Sequence, residues 1–95
     1  MTKLEFIKFH TQRGGHFFDK GATNFFKSRI NLFDEVTGIF ITSECGAVGK
    51  MPRVYTIRKA DFQTGQVSTI GELGEYKDYY QAKNRYLFLT KKGGL

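Results

Sequence analysis

The stretch Val54-Tyr-Thr-Ile-Arg-Lys-Ala-Asp-Phe-Gln-Thr-Gly-Gln-Val-Ser-Thr-Ile-Gly-Glu72 predicts a β-hairpin. Two runs rich in β-branched and aromatic residues flank a turn that ends in Thr64-Gly65. Gly65 is able to adopt the positive φ that such a turn needs near its end. The rest of the predicted fold is therefore built around this hairpin.

The register of the hairpin follows from its apolar residues. A four-residue loop, 62–65, sets Ile57 opposite Ile70 and Ala60 opposite Val67, whereas a three-residue loop does not. Apolar cross-strand pairs stabilise a sheet by roughly 0.2–1 kcal/mol each, so we prefer the first register. One face then carries Tyr55, Ile57 and Ile70, and the other carries Val54, Thr56, Arg58, Ala60, Val67, Thr69 and Leu73. Because neither face is wholly polar, we expect one face to be covered and the other to be available for use.

The sequence predicts a single α+β domain over residues 1–95. We expect a mainly antiparallel sheet of three to four strands, including the hairpin at 53–72, with strands near 39–44, 53–60 and 66–72. A C-terminal helix near 76–88 is expected to pack on one face, because its apolar residues recur at helical spacing. The strand-like composition of 86–90 predicts that this helix ends early.

The N-terminal part is expected to contribute an edge strand over 4–10 and a short helix near 23–30, capped by Thr23. A strand through 25–30 is the competing prediction for the second segment. The predicted core of the domain consists of Phe17, Phe26, Ile30, Phe40, Ile57, Ile70, Tyr79, Ala82 and Tyr86.

Composition argues against a secreted or membrane protein. The only cysteine, Cys45, permits no disulfide within the chain, which fits a reducing compartment. No apolar run approaches the roughly 20 residues of a membrane helix. The N-terminus lacks the apolar region of a signal peptide. We therefore expect a cytoplasmic protein with no membrane contact.

The net charge of +6 is distributed unevenly. Residues up to Ala47 include six basic and five acidic residues, whereas those from Val48 onward include nine basic and four acidic residues. The basic surplus therefore belongs to the hairpin and the C-terminal segment. Such a surplus favours nucleic acid or an acidic protein as partner, and it is equally compatible with a merely solubilising surface.

One candidate motif for nucleotide binding fails on its flanking residues. Gly46-Ala-Val-Gly-Lys50 resembles the end of a phosphate-binding loop, but that motif requires a glycine at Glu44 and a serine or threonine at Met51. It also requires a following helix, where the hairpin predicts a strand. We therefore expect a plain connecting loop.

The other residues that might carry chemistry do not form a recognisable set. A metal site needs three or four suitably placed ligands, and catalysis needs a nucleophile, a base and an oxyanion donor together. Neither pattern is evident around the candidates His10, His16, Asp19, Asp34, Glu35 and Cys45. We expect no enzyme activity, no cofactor and no metal.

Several short blocks along the sequence form a pattern: His16-Phe-Phe-Asp19, Phe25-Phe-Lys-Ser-Arg-Ile30, Phe40-Ile-Thr-Ser-Glu44, Arg53-Val-Tyr-Thr-Ile-Arg58, Thr64-Gly65 and Thr69-Ile-Gly-Glu72. Together they resemble a group of small uncharacterised accessory proteins of bacteriophages and other mobile elements. The resemblance covers roughly residues 16–85. It implies an accessory protein that acts inside a bacterial host cell, and it implies no catalytic residues.

We expect the protein to bind and block a host protein or ribonucleoprotein complex, as an anti-defence, anti-CRISPR-like inhibitor does. Aromatic and arginine anchors on a rigid sheet suit this task. The chain is expected to be a monomer or a homodimer. The predicted partner-binding residues are Lys50, Arg53, Tyr55, Arg58, Lys59 and Phe62.

The alternative function is nucleic-acid binding by the same basic region. Tyr55 or Phe62 would then stack on bases. Phosphate contacts would come from Lys50, Arg53, Arg58, Lys59, Lys77, Lys83 and Arg85. A structural protein of a virus particle is a third interpretation that the sequence leaves open.

Overall fold

A computed structural model describes residues 1–18, 29–45 and 53–91. The elements within these ranges are α1 (Lys3–Gln12), β1 (Arg29–Phe33), β2 (Ile39–Cys45), β3 (Arg53–Ala60), β4 (Val67–Ile70) and α2 (Tyr79–Thr90). The four strands form one antiparallel sheet in the order β1-β2-β3-β4. The predicted α+β fold, with its hairpin and its C-terminal helix packed on one face of the sheet, is confirmed.

The hairpin of β3 and β4 has the predicted register. Ile57 pairs with Ile70 and Ala60 pairs with Val67, while the N–H of Asp61 donates to the carbonyl of Gln66. Gly65 closes the loop with a φ of 76°. Strand β4 is shorter than predicted, because the chain leaves the ladder after Ile70.

The N-terminal segment is a helix, so the predicted edge strand over 4–10 is wrong. Thr2 and Glu5 form a capping box: the Thr2 hydroxyl accepts from the N–H of Glu5, and the Glu5 carboxylate accepts from the N–H of Thr2. Phe6 and His10, one turn apart, are buried on the inner side of α1. The Thr-x-x-Glu spacing was the available signal, and the mixed composition of the segment concealed it.

The second N-terminal segment is only partly described. Residues 19–28, which include Asp19 and Phe26, lie outside the described ranges, as do residues 46–52. Ile30 lies in β1, so a helix extending to residue 30 is wrong, and the competing strand prediction is correct for the end of that segment. A bulge at Leu32, whose φ is 53°, interrupts the pairing of β1 with β2.

Helix α2 is displaced toward the C-terminus relative to its prediction. Tyr76 is extended and bridges to Tyr55, and Asp78 caps the helix by accepting from the N–H of Tyr80. The helix continues to Thr90, so the predicted early end is wrong. Packing of Tyr86 and Leu89 against the sheet outweighs the β-propensity of this segment.

Apolar clusters cover both faces of the sheet. On one face, Ile39, Ile41 and Ile57 pack against Ala82 and Tyr86 of α2. On the other face, Phe6, Phe40 and Ala60 form a second cluster surrounded by Phe9, Phe17, Phe18, Ile30, Phe33, Phe62 and Val67. The face that carries Phe40 is therefore covered there by aromatic side chains, and the expectation that this face stays available is wrong around Phe40.

The predicted core is largely correct. Phe40, Ile57, Ala82 and Tyr86 are buried. The half-buried members are Phe17, Ile30, Ile70 and Tyr79. The sequence analysis omitted the buried residues Phe6, Ile39, Ile41 and Ala60.

The free energy of unfolding is expected to decrease in acid because of two exposed carboxylates. Backbone hydrogen bonding at Thr2 lowers the pKa of Glu5 from 4.5, and the N–H groups of Gln63 and Thr64 lower the pKa of Asp61 from 3.8. A carboxyl group whose pKa is lower in the folded state stabilises the fold above its unfolded pKa. This contribution is lost as the pH falls through the folded pKa.

Urea melts across pH measure this effect. The Glu5→Gln, Asp61→Asn double variant is expected to show a shallower loss of stability below about pH 4.5 than the wild type. Identical slopes for the two proteins would show that these hydrogen bonds do not couple to folding.

Candidate protein-binding surface

The residues predicted to contact a partner do not form one surface. Lys50 lies outside the described residues. Arg53, Tyr55 and Lys59 alternate along β3 on the face that α2 covers. The Arg53 guanidinium donates to the hydroxyl and the carbonyl of Ser43, at 3.3 and 3.0 Å. Of Arg53, Tyr55 and Lys59, which the structure describes, only Lys59 is exposed.

Tyr55 is engaged within the fold. Its ring lies 5.7 Å from that of Tyr79, centroid to centroid, and its backbone exchanges hydrogen bonds with Tyr76. The side chain is half-buried. Tyr55 therefore helps to seat the start of α2 on the sheet.

Arg58 lies on the opposite face of the sheet and contacts neighbouring side chains. Its guanidinium donates to Thr42 at 3.2 Å, to Thr69 at 2.7 Å and to Glu44 at 3.3 Å. It also lies over the ring of Phe17, 5.3 Å from the centroid. The side chains of Arg58 and Glu44 are each 14% exposed. The described contacts of Arg58 are thus internal.

Phe62, the last of the predicted residues, packs against the cluster formed by Phe6, Phe40 and Ala60. Its ring lies 5.9 Å from Phe6 and 6.3 Å from Phe33. The side chain is half-buried. Partner contact by Phe62 or Arg58 stays a prediction, and the structure gives each of them a role in packing.

The outer side of α2 carries a surface that the sequence analysis did not identify. Tyr80, Asn84, Arg85 and Phe88 lie there, and we call these four residues the outer ridge. Tyr80, Asn84 and Phe88 recur every four residues and so share one side of the helix. Tyr80 is 70% exposed and Phe88 is 61% exposed. At 1.5 Å per residue, these two aromatic side chains start about 12 Å apart along the axis.

The inner side of α2 holds the outer ridge in place. Ala82 and Tyr86 are buried against β2 and β3, and Asp78 fixes the first turn. Because the inner side of the helix is anchored, Tyr80 and Phe88 point away from the sheet. The same helical spacing that predicts the inner side of α2 also places Tyr80 and Phe88 on its outer side.

The outer ridge is aromatic and positively charged. The guanidinium of Arg85 lies over the ring of Phe88, 5.2 Å from the centroid. From Tyr79 to Leu95 the sequence has four basic residues and no acidic residue. Burial raises the pKa of the nearby Tyr76, and its hydrogen bond with Glu75 adds to this effect, while Arg85 opposes it. Tyr76 therefore stays neutral at physiological pH, and it does not offset the positive charge of the outer ridge.

The described residues provide no metal centre. Across residues 1–18, 29–45 and 53–91, no three His, Cys, Asp or Glu side chains are grouped so that they could hold a metal ion. His10 is buried, and its Nδ1 donates to the carbonyl of Gly65 at 2.5 Å. Its Nε2 accepts from the N–H of Phe17 at 3.2 Å. This histidine therefore ties α1 to the hairpin loop.

Within residues 1–18, 29–45 and 53–91, no helix has the length and apolar character needed to span a membrane.

These features define a small α+β protein with an exposed aromatic and basic helix surface. The chain belongs to a family of unknown function (DUF7447), whose model matches residues 4–87. This range includes the sheet and most of both helices. No curated protein and no solved structure matches the chain.

Proposed function

We propose that this protein is a non-enzymatic binding protein that acts by occupying the surface of a partner protein. The outer ridge of α2 carries this proposal. Tyrosine and arginine are the residue types, with tryptophan, that dominate binding energy in protein interfaces. Here Tyr80 and Arg85, together with Phe88, are exposed on a helix whose inner side is anchored.

The proposed partner is a protein or ribonucleoprotein complex of a bacterial host cell. The resemblance to accessory proteins of mobile elements supports this choice, and blocking a defence complex is the corresponding activity. Occlusion requires a rigid surface and no cofactor. The anchored inner side of α2 gives the outer ridge that rigidity.

Nucleic-acid binding is the alternative, and the positive charge from Tyr79 to Leu95 favours it. The aromatic residues favour it less. Base stacking needs an open ring face, and Arg85 lies over one of the two faces of the Phe88 ring. Arg53 and Arg58, two of the predicted phosphate contacts, donate hydrogen bonds to side chains of the sheet. We therefore prefer a protein partner.

Affinity purification from a bacterial host, with nuclease treatment, tests this proposal. The tagged wild type is expected to retain one stoichiometric protein partner. The Tyr80→Ser, Phe88→Ser variant is expected to lose that partner, because both anchors are removed. Leu4 and Val36 are 70% and 85% exposed, so Leu4→Ser, Val36→Ser is a matched control that should retain it.

Two outcomes would contradict the proposal. Recovery of nucleic acid without a stoichiometric protein, abolished by nuclease, would favour nucleic-acid binding. Equal recovery of the partner by the Tyr80→Ser, Phe88→Ser variant and the wild type would place the interface elsewhere on the molecule.

A further inference from the structure

We infer that the outer ridge of α2 docks lengthwise into an apolar groove of a partner protein, and that carboxylates line the part of the groove that receives the C-terminal half of the helix. This inference rests on the proposed function and specifies the chemistry of the partner. It follows from the spacing of the aromatic residues and from the distribution of charge along α2.

The spacing of the aromatic residues favours a groove. Tyr80 and Phe88 lie on the same side of α2 and start about 12 Å apart, with the short side chain of Asn84 between them. An amphipathic helix that binds in a groove carries its anchors on one side, over one to two turns, and Tyr80 and Phe88 lie on one side and two turns apart. A flat surface would contact the two aromatic side chains but would leave a gap at Asn84.

The charge along α2 places the carboxylates at one end. Before the helix, the segment 75–78 contains Glu75, Lys77 and Asp78, so the charges there are mixed. After Asp78 the chain has only basic charged residues, and Arg85 and Lys91 are exposed. Arg85 also lies over Phe88, so the apolar anchor and the cation reach the partner together. A partner that buries Phe88 must therefore supply a carboxylate for Arg85.

The same charges argue against a second copy of the chain as the occupant. In a symmetric antiparallel pair of α2 helices centred on Asn84, the two Arg85 side chains meet at the centre. In a parallel pair, each exposed cation faces its own copy. Like charges at such positions destabilise the contact. An acidic protein surface satisfies both the cations and the aromatic residues.

The test uses three peptides that fold as helical hairpins, with the same leucine-lined groove between their two helices and with Glu, Gln or Lys at every polar position. A single-stranded oligothymidylate is the fourth probe. Each is titrated into the protein of residues 1–95, and the backbone amide signals are followed by NMR. We expect the Glu peptide to shift the signals of residues 80–91 and to bind about ten-fold more tightly than the Gln peptide, since close charge pairs contribute on this scale.

Variants then locate the charge effect. Arg85→Glu is expected to weaken binding of the Glu peptide and to strengthen binding of the Lys peptide, a reversal that lost packing alone would not produce. Lys8→Glu, which changes the net charge equally on α1, is expected to leave both affinities unchanged.

Each contrary result has a distinct meaning. Equal binding of all three peptides to residues 80–91 would overturn the acidic groove while the proposed function stands. Absence of amide signal shifts with the Glu peptide would also overturn the acidic groove. The affinity purification would then test the proposed function separately. Concentration-dependent shifts without peptide would indicate a second copy. Tighter binding of oligothymidylate at the outer ridge would overturn both proposals.

Discussion

Replacement of Phe40 by alanine is expected to lower the free energy of unfolding by about 3–5 kcal/mol. Phe40 has no exposed surface. Its ring lies 5.4 Å from Phe33 and 6.2 Å from both Phe17 and Phe18. Removing it deletes the apolar group at the centre of the aromatic cluster and leaves a cavity among Phe17, Phe18 and Phe33.

The matched control for this prediction is the same substitution at an exposed position. Phe88→Ala is expected to change the free energy of unfolding by at most about 0.5 kcal/mol, because Phe88 lies on the outer side of α2. Urea melts of both variants give the comparison. Similar destabilisation by the two substitutions would show that Phe88 packs into the core, and the outer ridge would then lose an anchor.

Replacement of Arg58 by glutamate is expected to cost about 3–5 kcal/mol of folding free energy. The substitution removes the cation paired with Glu44 and puts a second carboxylate beside it. It also removes the donors to Thr42 and Thr69. If Arg58 were instead an exposed residue that contacts a partner, the protein would keep its fold after this substitution. The observed network predicts loss of folding stability instead.

A double-mutant cycle separates loss of the ion pair from general disruption. Arg58→Met alone leaves Glu44 without its cation and is expected to be destabilising. Adding Glu44→Leu removes the unpaired carboxylate but also the acceptor of the Thr42 and Thr56 hydroxyls. The double variant is therefore expected to be less destabilised than the sum of the two single substitutions, although less stable than the wild type. Strictly additive effects of the two substitutions, measured by urea melts, would contradict a coupled network.

The parts of the fold that the sequence predicted correctly are set by local patterns. The register of Ile57 with Ile70 follows from loop length and alternating apolar residues, both of which are readable over 54–72. Strand β2 is a run of β-branched and aromatic residues. The inner side of α2 follows from the spacing of Ala82 and Tyr86.

The features that the sequence did not reveal depend on tertiary packing or on a weak local signal. Arg58 meets Glu44 across fourteen positions of sequence, and nothing local distinguishes such an arginine from an exposed one. The N-terminal helix was indicated only by Thr2 and Glu5. Recognition of the outer ridge requires both the position of α2 and the knowledge of which side the sheet buries. The partner-binding residues predicted around the hairpin stay a prediction.

The most direct test of the account is the affinity of the purified host partner for three forms of this protein, measured by calorimetric titration. Phe88→Ser is expected to lower the affinity by about 30-fold, the loss of roughly 2 kcal/mol that is typical when a central anchor is removed. Leu4→Ser, equally apolar and exposed but on α1, is expected to bind like the wild type. Equal affinities of the wild type and Phe88→Ser, or a larger loss for Leu4→Ser, would contradict the assignment of α2 as the binding surface.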